Sequence, residues 1–181
     1  MKVSDWGIDS TWTLFLDRDG VINQRIMGGY VTKVEEFHFL PNVREAIAGF
    51  SAIFHRIFVV TNQQGIGKGL MTERNLIDIH TYMCDQIHLA KGKIDKCYFA
   101  PNLKGATEDL RKPSSAMAEM AKHEFPEIEF KRAIMVGDTD SDILFGKNLG
   151  MKTVRIKTEE PILVEADLTV TSLMTFLKEV Q

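Results

Sequence analysis

Asp17 and Asp19 stand two positions apart at the end of an apolar run, in the stretch FLDRDG (15–20). A second acidic cluster, GDTDSD (137–142), brings Asp138, Asp140 and Asp142 just after another apolar run. Carboxylates gathered at neighbouring strand ends repel one another strongly unless a cation lies between them. Mg²⁺ suits such a place, because it is a hard ion that takes oxygen ligands, few carboxylates and several waters. Asp17 and Asp138 are therefore candidate direct ligands. Thr61 and Asn62 follow a third apolar run and offer a hydroxyl and amide donors to an anion. Arg111 and Lys112, in LRKPSS (110–115), precede a helix start, where free backbone N–H groups favour negative charge. A divalent cation beside an anion is the chemistry these residue types describe.

Other motifs are excluded by spacing. VVTNQQGIGKGLM (59–71) carries the glycines of a phosphate loop, yet Leu70 stands where G-x-G-x-x-G needs glycine. Asn62 and Gly69 stand where a Walker A loop needs glycine and a hydroxyl residue. The histidines at 38, 55, 80, 88 and 123 follow no ligand spacing. His80 and His88 fall on the polar flank of a predicted helix, and all five are expected to fill surface or core. Cys84 and Cys97, with no C-x-x-C, are expected to be reduced thiols of a cytoplasmic protein.

The elements that must hold these residues follow from hydrophobic pattern. Short, mostly non-alternating apolar runs at 12–16, 56–60, 96–100, 132–136 and 152–156 read as strands buried on both faces. Helical patterns lie between them. One opens at Asn42 with Glu45 three residues on, the spacing of a capping box, and aligns Val43, Ala46, Ile47, Phe50 and Phe54. Another opens at Thr72 with Leu76, Ile79, Met83 and Ile87 as its stripe. A third opens at Ser114 or Ser115 with Met117, Met120 and Ala121 facing inward, and a fourth stops at Gly150. Alternating strands and helices predict an α/β fold, a Rossmann-like doubly wound parallel sheet, whose chemistry lies beyond the carboxyl ends of its strands. All three polar clusters sit at such ends. At 181 residues one domain over 1–181 is expected, with 44% hydrophobic and 26% charged residues. The net charge of −3 argues against nucleic acid as a partner. No apolar run or leader-like segment points to a membrane.

The ordered set Asp17-x-Asp19-Gly20, Thr61-Asn62, Lys112 and Gly137-Asp138-x-x-x-Asp142 resembles the haloacid dehalogenase (HAD) superfamily of phosphotransferases. LDRDGVIN, GGYVTKVEEFHFLPNV, VVTNQQGIGKG, RKPSSAM and MVGDTDSDI resemble a branch without a large cap domain. That branch holds heptose-bisphosphate 7-phosphatases and histidinol-phosphate phosphatases. The resemblance implies an aspartyl-phosphate on Asp17 and acid–base work by Asp19. It implies Mg²⁺ held by Asp17, the Asp19 carbonyl and Asp138, with Asp142 behind them. Thr61 and Lys112 would stabilise the phosphoryl group, and Asn62 would orient Asp19 or substrate. Gly28, Gly29, Tyr30, Gln63, Gln64 and Arg111 would join Thr61, Asn62 and Lys112 around the substrate. The partner implied is a small phosphorylated sugar, or histidinol phosphate, met by a monomer or weak oligomer. A silent binding module of the same fold is the alternative from another class. Relatives often bind zinc before the Arg-Lys-Pro motif, but Cys97, Phe99, Glu108 and Leu110 stand at the matching positions, so no zinc is expected.

Overall fold

The computed structural model describes residues 3–181. Strands β1 (Thr13–Leu16), β2 (Arg56–Asn62), β3 (Lys96–Ala100), β4 (Ala133–Gly137) and β5 (Lys152–Ile156) fall on the apolar runs. A sixth, β6 (Leu168–Val170), is too short and too exposed to have left a pattern. All neighbours are parallel, in the order β3-β2-β1-β4-β5-β6. This is a doubly wound sheet, and the chain reverses direction at β1 and β4, where such sheets open a crevice. Leu16 pairs with Val59 on one side and Val136 on the other, so Asp17 emerges one residue beyond both. The Asp17 N–H still donates to the Val136 carbonyl at 2.9 Å.

Helices α1 (Val43–Ile53), α2 (Gln64–Gly67), α3 (Glu73–Leu89), α4 (Ala116–Glu124), α5 (Asp140–Asn148) and α6 (Leu173–Val180) cover both faces. Leu14, Leu16, Ile57, Val59, Ile134 and Val136 pack toward α1, α3 and α6. Their neighbours Phe15, Phe58, Val60 and Met135 pack toward α4 and α5. Successive side chains enter opposite layers, which is why the runs do not alternate. At about 1.5–3 kcal/mol for each large side chain buried, this two-sided packing fixes where the strands end.

Thr72 caps α3 as expected, in a reciprocal box with Asn75. Asn42 does not cap α1: its backbone is left-handed, φ 58°, and its side chain makes no cap bond. Asn tolerates that conformation better than most residues and serves the turn rather than the helix end. On α4 the buried residues are Met117, Ala118 and Ala121, while Met120 faces solvent, so the inward face is turned from the predicted one. Gly150, φ 73°, terminates the segment after α5 as read from sequence.

Two glycines make room within the acidic turns. Gly20 has φ +90°, and a Cβ there would lie 2.3 Å from Asp138 Oδ2. A Cβ on Gly137 would lie 2.1 Å from the Asp142 Cβ. The β1 turn can therefore close on Asp138 only with glycine at 20, and α5 can set Asp142 against the end of β4 only with glycine at 137.

Candidate active site

Lys112 lies buried at the centre of the crevice. Its ammonium donates to Asp17 Oδ1 at 2.7 Å and to the Val60 carbonyl at 2.7 Å. Asp142 Oδ1 is 2.6 Å away, an ion pair off the hydrogen-bond direction. Asn62 brings this lysine in: its side-chain oxygen accepts from the Lys112 N–H at 2.9 Å and its amide donates to the Lys112 carbonyl at 3.3 Å. Asn62 thus holds the incoming loop, and the orienting of Asp19 falls elsewhere. Asp142 also accepts from the Thr139 backbone and hydroxyl, which caps α5.

The charge balance separates the acids. Burial, then repulsion from Asp142 and Asp19, pushes Asp17 up to about 6 against the pull of Lys112. Burial and the neighbouring Asp17 push Asp138 up to about 8, opposed by Arg25. Burial would raise Asp142 as well, yet Lys112 and the Thr139 bonds hold it below the usual carboxylate range. Lys112 is held above its ordinary value because Asp142 and Asp17 outweigh its own burial.

Asp19 has a different environment. Arg18 Nη2 donates to both its carboxylate oxygens at 2.9 Å, Asn23 to Oδ1 at 3.0 Å and Gln63 to Oδ2 at 2.9 Å. Burial alone would raise its pKa, but these donors lower it. Arg18 is 0% exposed and reaches His80 Nε2 at 3.4 Å. A guanidinium only donates, so that nitrogen must accept and the imidazole must be neutral. Burial and the nearby Arg18 charge push His80 down to about 3. His80 is therefore not on a polar flank. Its spacing from Leu76 and Met83 on α3 carried the signal, since i+4 and i−3 share a face.

Asp17, Asp138 and Asp142 offer oxygens within 4.8 Å of one another. Asp138 Oδ2 is buried without a hydrogen-bond partner, and Oδ1 accepts from Arg25 at 2.8 Å. An orphaned carboxylate oxygen among acids pushed toward protonation fits a divalent cation. Asp140 takes no part: it pairs with Arg155 at 2.5 Å and accepts from Leu163 and Val164.

A cavity of about 420 Å³ opens over Asp17, Asp142 and Arg25, while Asp138 does not line it. Asp17, Asp19, Gly28, Gly29, Tyr30, Thr61, Asn62, Arg111, Lys112 and Asp142 all line it. Gln63 and Gln64 do not: Gln63 is buried against Asp19 and Thr61, and Gln64 accepts from the Lys104 N–H. The reading from sequence missed the polar wall residues Arg25, Lys68, Ser141 and Glu160. Lys68 could have been suspected from the glycine-rich stretch, while Glu160 lies in a segment without a motif. The loop from 101 to 109 is tied by Asp109, which accepts from the Gly105 and Arg111 N–H groups, and by the Gly67 N–H on the Pro101 carbonyl. Cys97 Sγ lies 4.0 Å from Cys84 Sγ, a pairing of helix and strand that spacing did not suggest. Among the described residues no helix is long and apolar enough to cross a membrane.

Comparison with known proteins agrees with this geometry. A family model described as HAD-hydrolase-like matches residues 109–165. A D-glycero-α-D-manno-heptose-1,7-bisphosphate 7-phosphatase of Campylobacter jejuni is 39% identical, over 83% of this chain and 84% of that protein. The D-glycero-β-D-manno-heptose-1,7-bisphosphate 7-phosphatase of Helicobacter pylori is 31% identical, over 86% and 88%. The D,D-heptose 1,7-bisphosphate phosphatase of B. bronchiseptica, solved with magnesium and phosphate, superposes with a TM-score of 0.85 at 24% identity, over 93% of this chain and 97% of that one.

The His80 environment makes a prediction about acid stability. Its folded pKa, about 3, lies below the unfolded value of 6.5, so its contribution is full above 6.5 and is lost as pH falls from there toward 3. The slope is at most about 1.4 kcal/mol per pH unit. His80→Gln keeps an acceptor for Arg18 without the titration. Thermal melts should show the variant losing less stability than wild type between about pH 7 and pH 5. Equal losses would contradict the buried neutral imidazole.

Proposed function

From the premise that the chain belongs to the D-glycero-D-manno-heptose-1,7-bisphosphate 7-phosphatase family of HAD-like hydrolases, we propose that it removes the 7-phosphate of the heptose bisphosphate through an aspartyl-phosphate on Asp17. One HAD-like domain over residues 1–181 carries this chemistry. The observation that supports it most is the Asp17–Lys112 contact at 2.7 Å, at the floor of the cavity and near the orphaned oxygen of Asp138. Uncatalysed phosphate-monoester hydrolysis is among the slowest of reactions, needing accelerations of up to ~10²¹. Nucleophile, cation and positioned proton donors must therefore act together.

Asp17 attacks phosphorus and the sugar alkoxide departs, leaving an acyl phosphate that water then opens at phosphorus. Lys112 fixes one Asp17 oxygen and meets the phosphoryl charge, and the Thr61 hydroxyl joins it. Asp19 gives a proton to the alkoxide and takes one from the attacking water. Its donors hold it ionised, which suits the second role; the first requires Asp19 to enter the step protonated, taking its proton from solvent as substrate displaces one of those donors, so that its O–H faces the bridging oxygen. Asp17, Asp138 and the Asp19 carbonyl are the groups that would hold Mg²⁺, with Asp142 behind them. Bound there, the ion would neutralise charge on the transferring phosphoryl group. Gly28, Gly29, Tyr30, Asn62 and Arg111 contact the rest of the sugar phosphate, and Gln63 orients Asp19 from behind. No zinc is required, because Phe99, Glu108 and Leu110 supply no thiolate or imidazole.

Asp17→Asn should abolish phosphate release, and Asp19→Asn should lower kcat by ~10²–10⁴-fold. Chelation should abolish wild-type turnover. The heptose bisphosphate should be hydrolysed faster than histidinol phosphate. An Asp17→Asn rate within about tenfold of wild type, full activity in excess chelator, or no phosphate release from any of these substrates would contradict the reading; the last would mark a silent binding module. Elemental analysis of the purified protein should find no stoichiometric zinc. One zinc per chain, lost together with activity in Cys97→Ala, would contradict the magnesium-only assignment.

A further inference from the structure

Arg25 is a cavity residue that neither the motifs nor the reaction accounts for. Its Nη2 donates to Asp138 Oδ1 at 2.8 Å and to the Asp19 carbonyl at 3.1 Å. On its other side Nη1 donates to Glu160 Oε1 at 2.9 Å. The side chain is 28% exposed, so it reaches the acids from the rim. One guanidinium nitrogen thus bridges two oxygens that come from the β1 and β4 turns.

We propose that Arg25 is a resident counter-cation that competes with Mg²⁺ for the Asp138 carboxylate and the Asp19 carbonyl, and swings toward Glu160 when the metal binds. The inference rests on the reading of those two groups as magnesium ligands. Mg²⁺ demands oxygens at ~2.0–2.1 Å in near-octahedral directions. Asp138 Oδ2 stays open, but the nitrogen on Oδ1 also holds the Asp19 carbonyl at 3.1 Å, so an ion taking both groups must enter the space the guanidinium occupies. A divalent ion beside an undisplaced guanidinium would also suffer like-charge repulsion. The competition is useful to the fold without metal: Asp17, Asp138 and Asp142 lie buried together, and Lys112 alone does not balance them. Glu160 is 31% exposed and already holds the outer nitrogen. The guanidinium can therefore leave Asp138 without losing every anionic partner. Apparent metal affinity is then the intrinsic affinity reduced by the fraction of molecules in which Arg25 has left.

The test is a calorimetric Mg²⁺ titration of the full chain without substrate, on wild type, Arg25→Met and Asp138→Asn. Arg25→Met should bind Mg²⁺ about tenfold more tightly, the scale set by a charge-assisted hydrogen bond. In wild type, the Arg25 guanidinium ¹⁵N resonances should show hindered rotation without metal and faster rotation at saturation. That second measurement needs no variant and separates displacement from a through-space charge effect. Equal or weaker binding by Arg25→Met, or Arg25 resonances unchanged at saturating Mg²⁺, would overturn the inference while leaving magnesium in place. Wild type and both variants binding no Mg²⁺ would instead overturn the magnesium assignment, and this inference with it.

Discussion

The buried ammonium of Lys112 is the interaction on which the rest of the site depends. It joins the end of β1 through Asp17, β2 through the Val60 carbonyl and the start of α5 through Asp142. Charges taken out of water are stabilised only when partners replace the lost solvation, and removing one partner of a buried pair costs about 3–5 kcal/mol. Three separate stretches of chain must therefore meet at one atom, and the sheet register exists to bring them there. Asn62 makes the meeting possible by gripping the lysine's own backbone. Gly20 helps by leaving no Cβ between the acidic turns, and Gly137 by leaving none between the end of β4 and Asp142.

The same constraint explains why two carboxylates two residues apart can do different work. β1 ends at Leu16 and the chain turns through residues 18–23, so strand alternation no longer holds the two side chains on one face. Asp17 turns toward Lys112 and the other buried acids, which raise its pKa. Asp19 turns toward Arg18, Asn23 and Gln63, which lower it. Arg18, between them in sequence, is swallowed by the core and braced by His80. The repulsion within FLDRDG is therefore relieved by geometry before any metal is considered. The residual repulsion, between Asp17 and Asp138, is what a divalent cation would remove.

Much of this was legible in the chain. Strands buried on both faces leave apolar runs with sharp ends, and polar residues just past those ends mark the crevice. That reasoning found Asp17, Asp19, Thr61, Asn62, Asp138 and Asp142 without any structure. It failed where a residue's meaning lies in a distant partner. Arg25 and Glu160 meet only because the segment after β5 returns to the rim beside the β1 turn. Cys84 and Cys97 meet only because α3 packs beside β3. Asn42 carried the chemistry of a helix cap, yet its backbone was taken by the turn. Gln63 and Gln64 followed the Thr-Asn pair in sequence, but the short α2 turns both away from the cavity. His80 was within reach of helical spacing and was passed over because histidine is read as polar.

The proposed reaction turns on the Asp17 carboxylate, whose oxygen would receive phosphorus. The most direct measurement is to quench the enzyme in acid during turnover of the heptose bisphosphate, reduce the trapped protein with borohydride, and locate modified residues by peptide mass spectrometry. An acyl phosphate at Asp17 would be reduced to homoserine, so the modification should be found at position 17 alone, and only when substrate and Mg²⁺ were both present. Phosphate released at the full rate with Asp17 unmodified, or homoserine at Asp19, Asp138 or Asp142, would contradict the assignment.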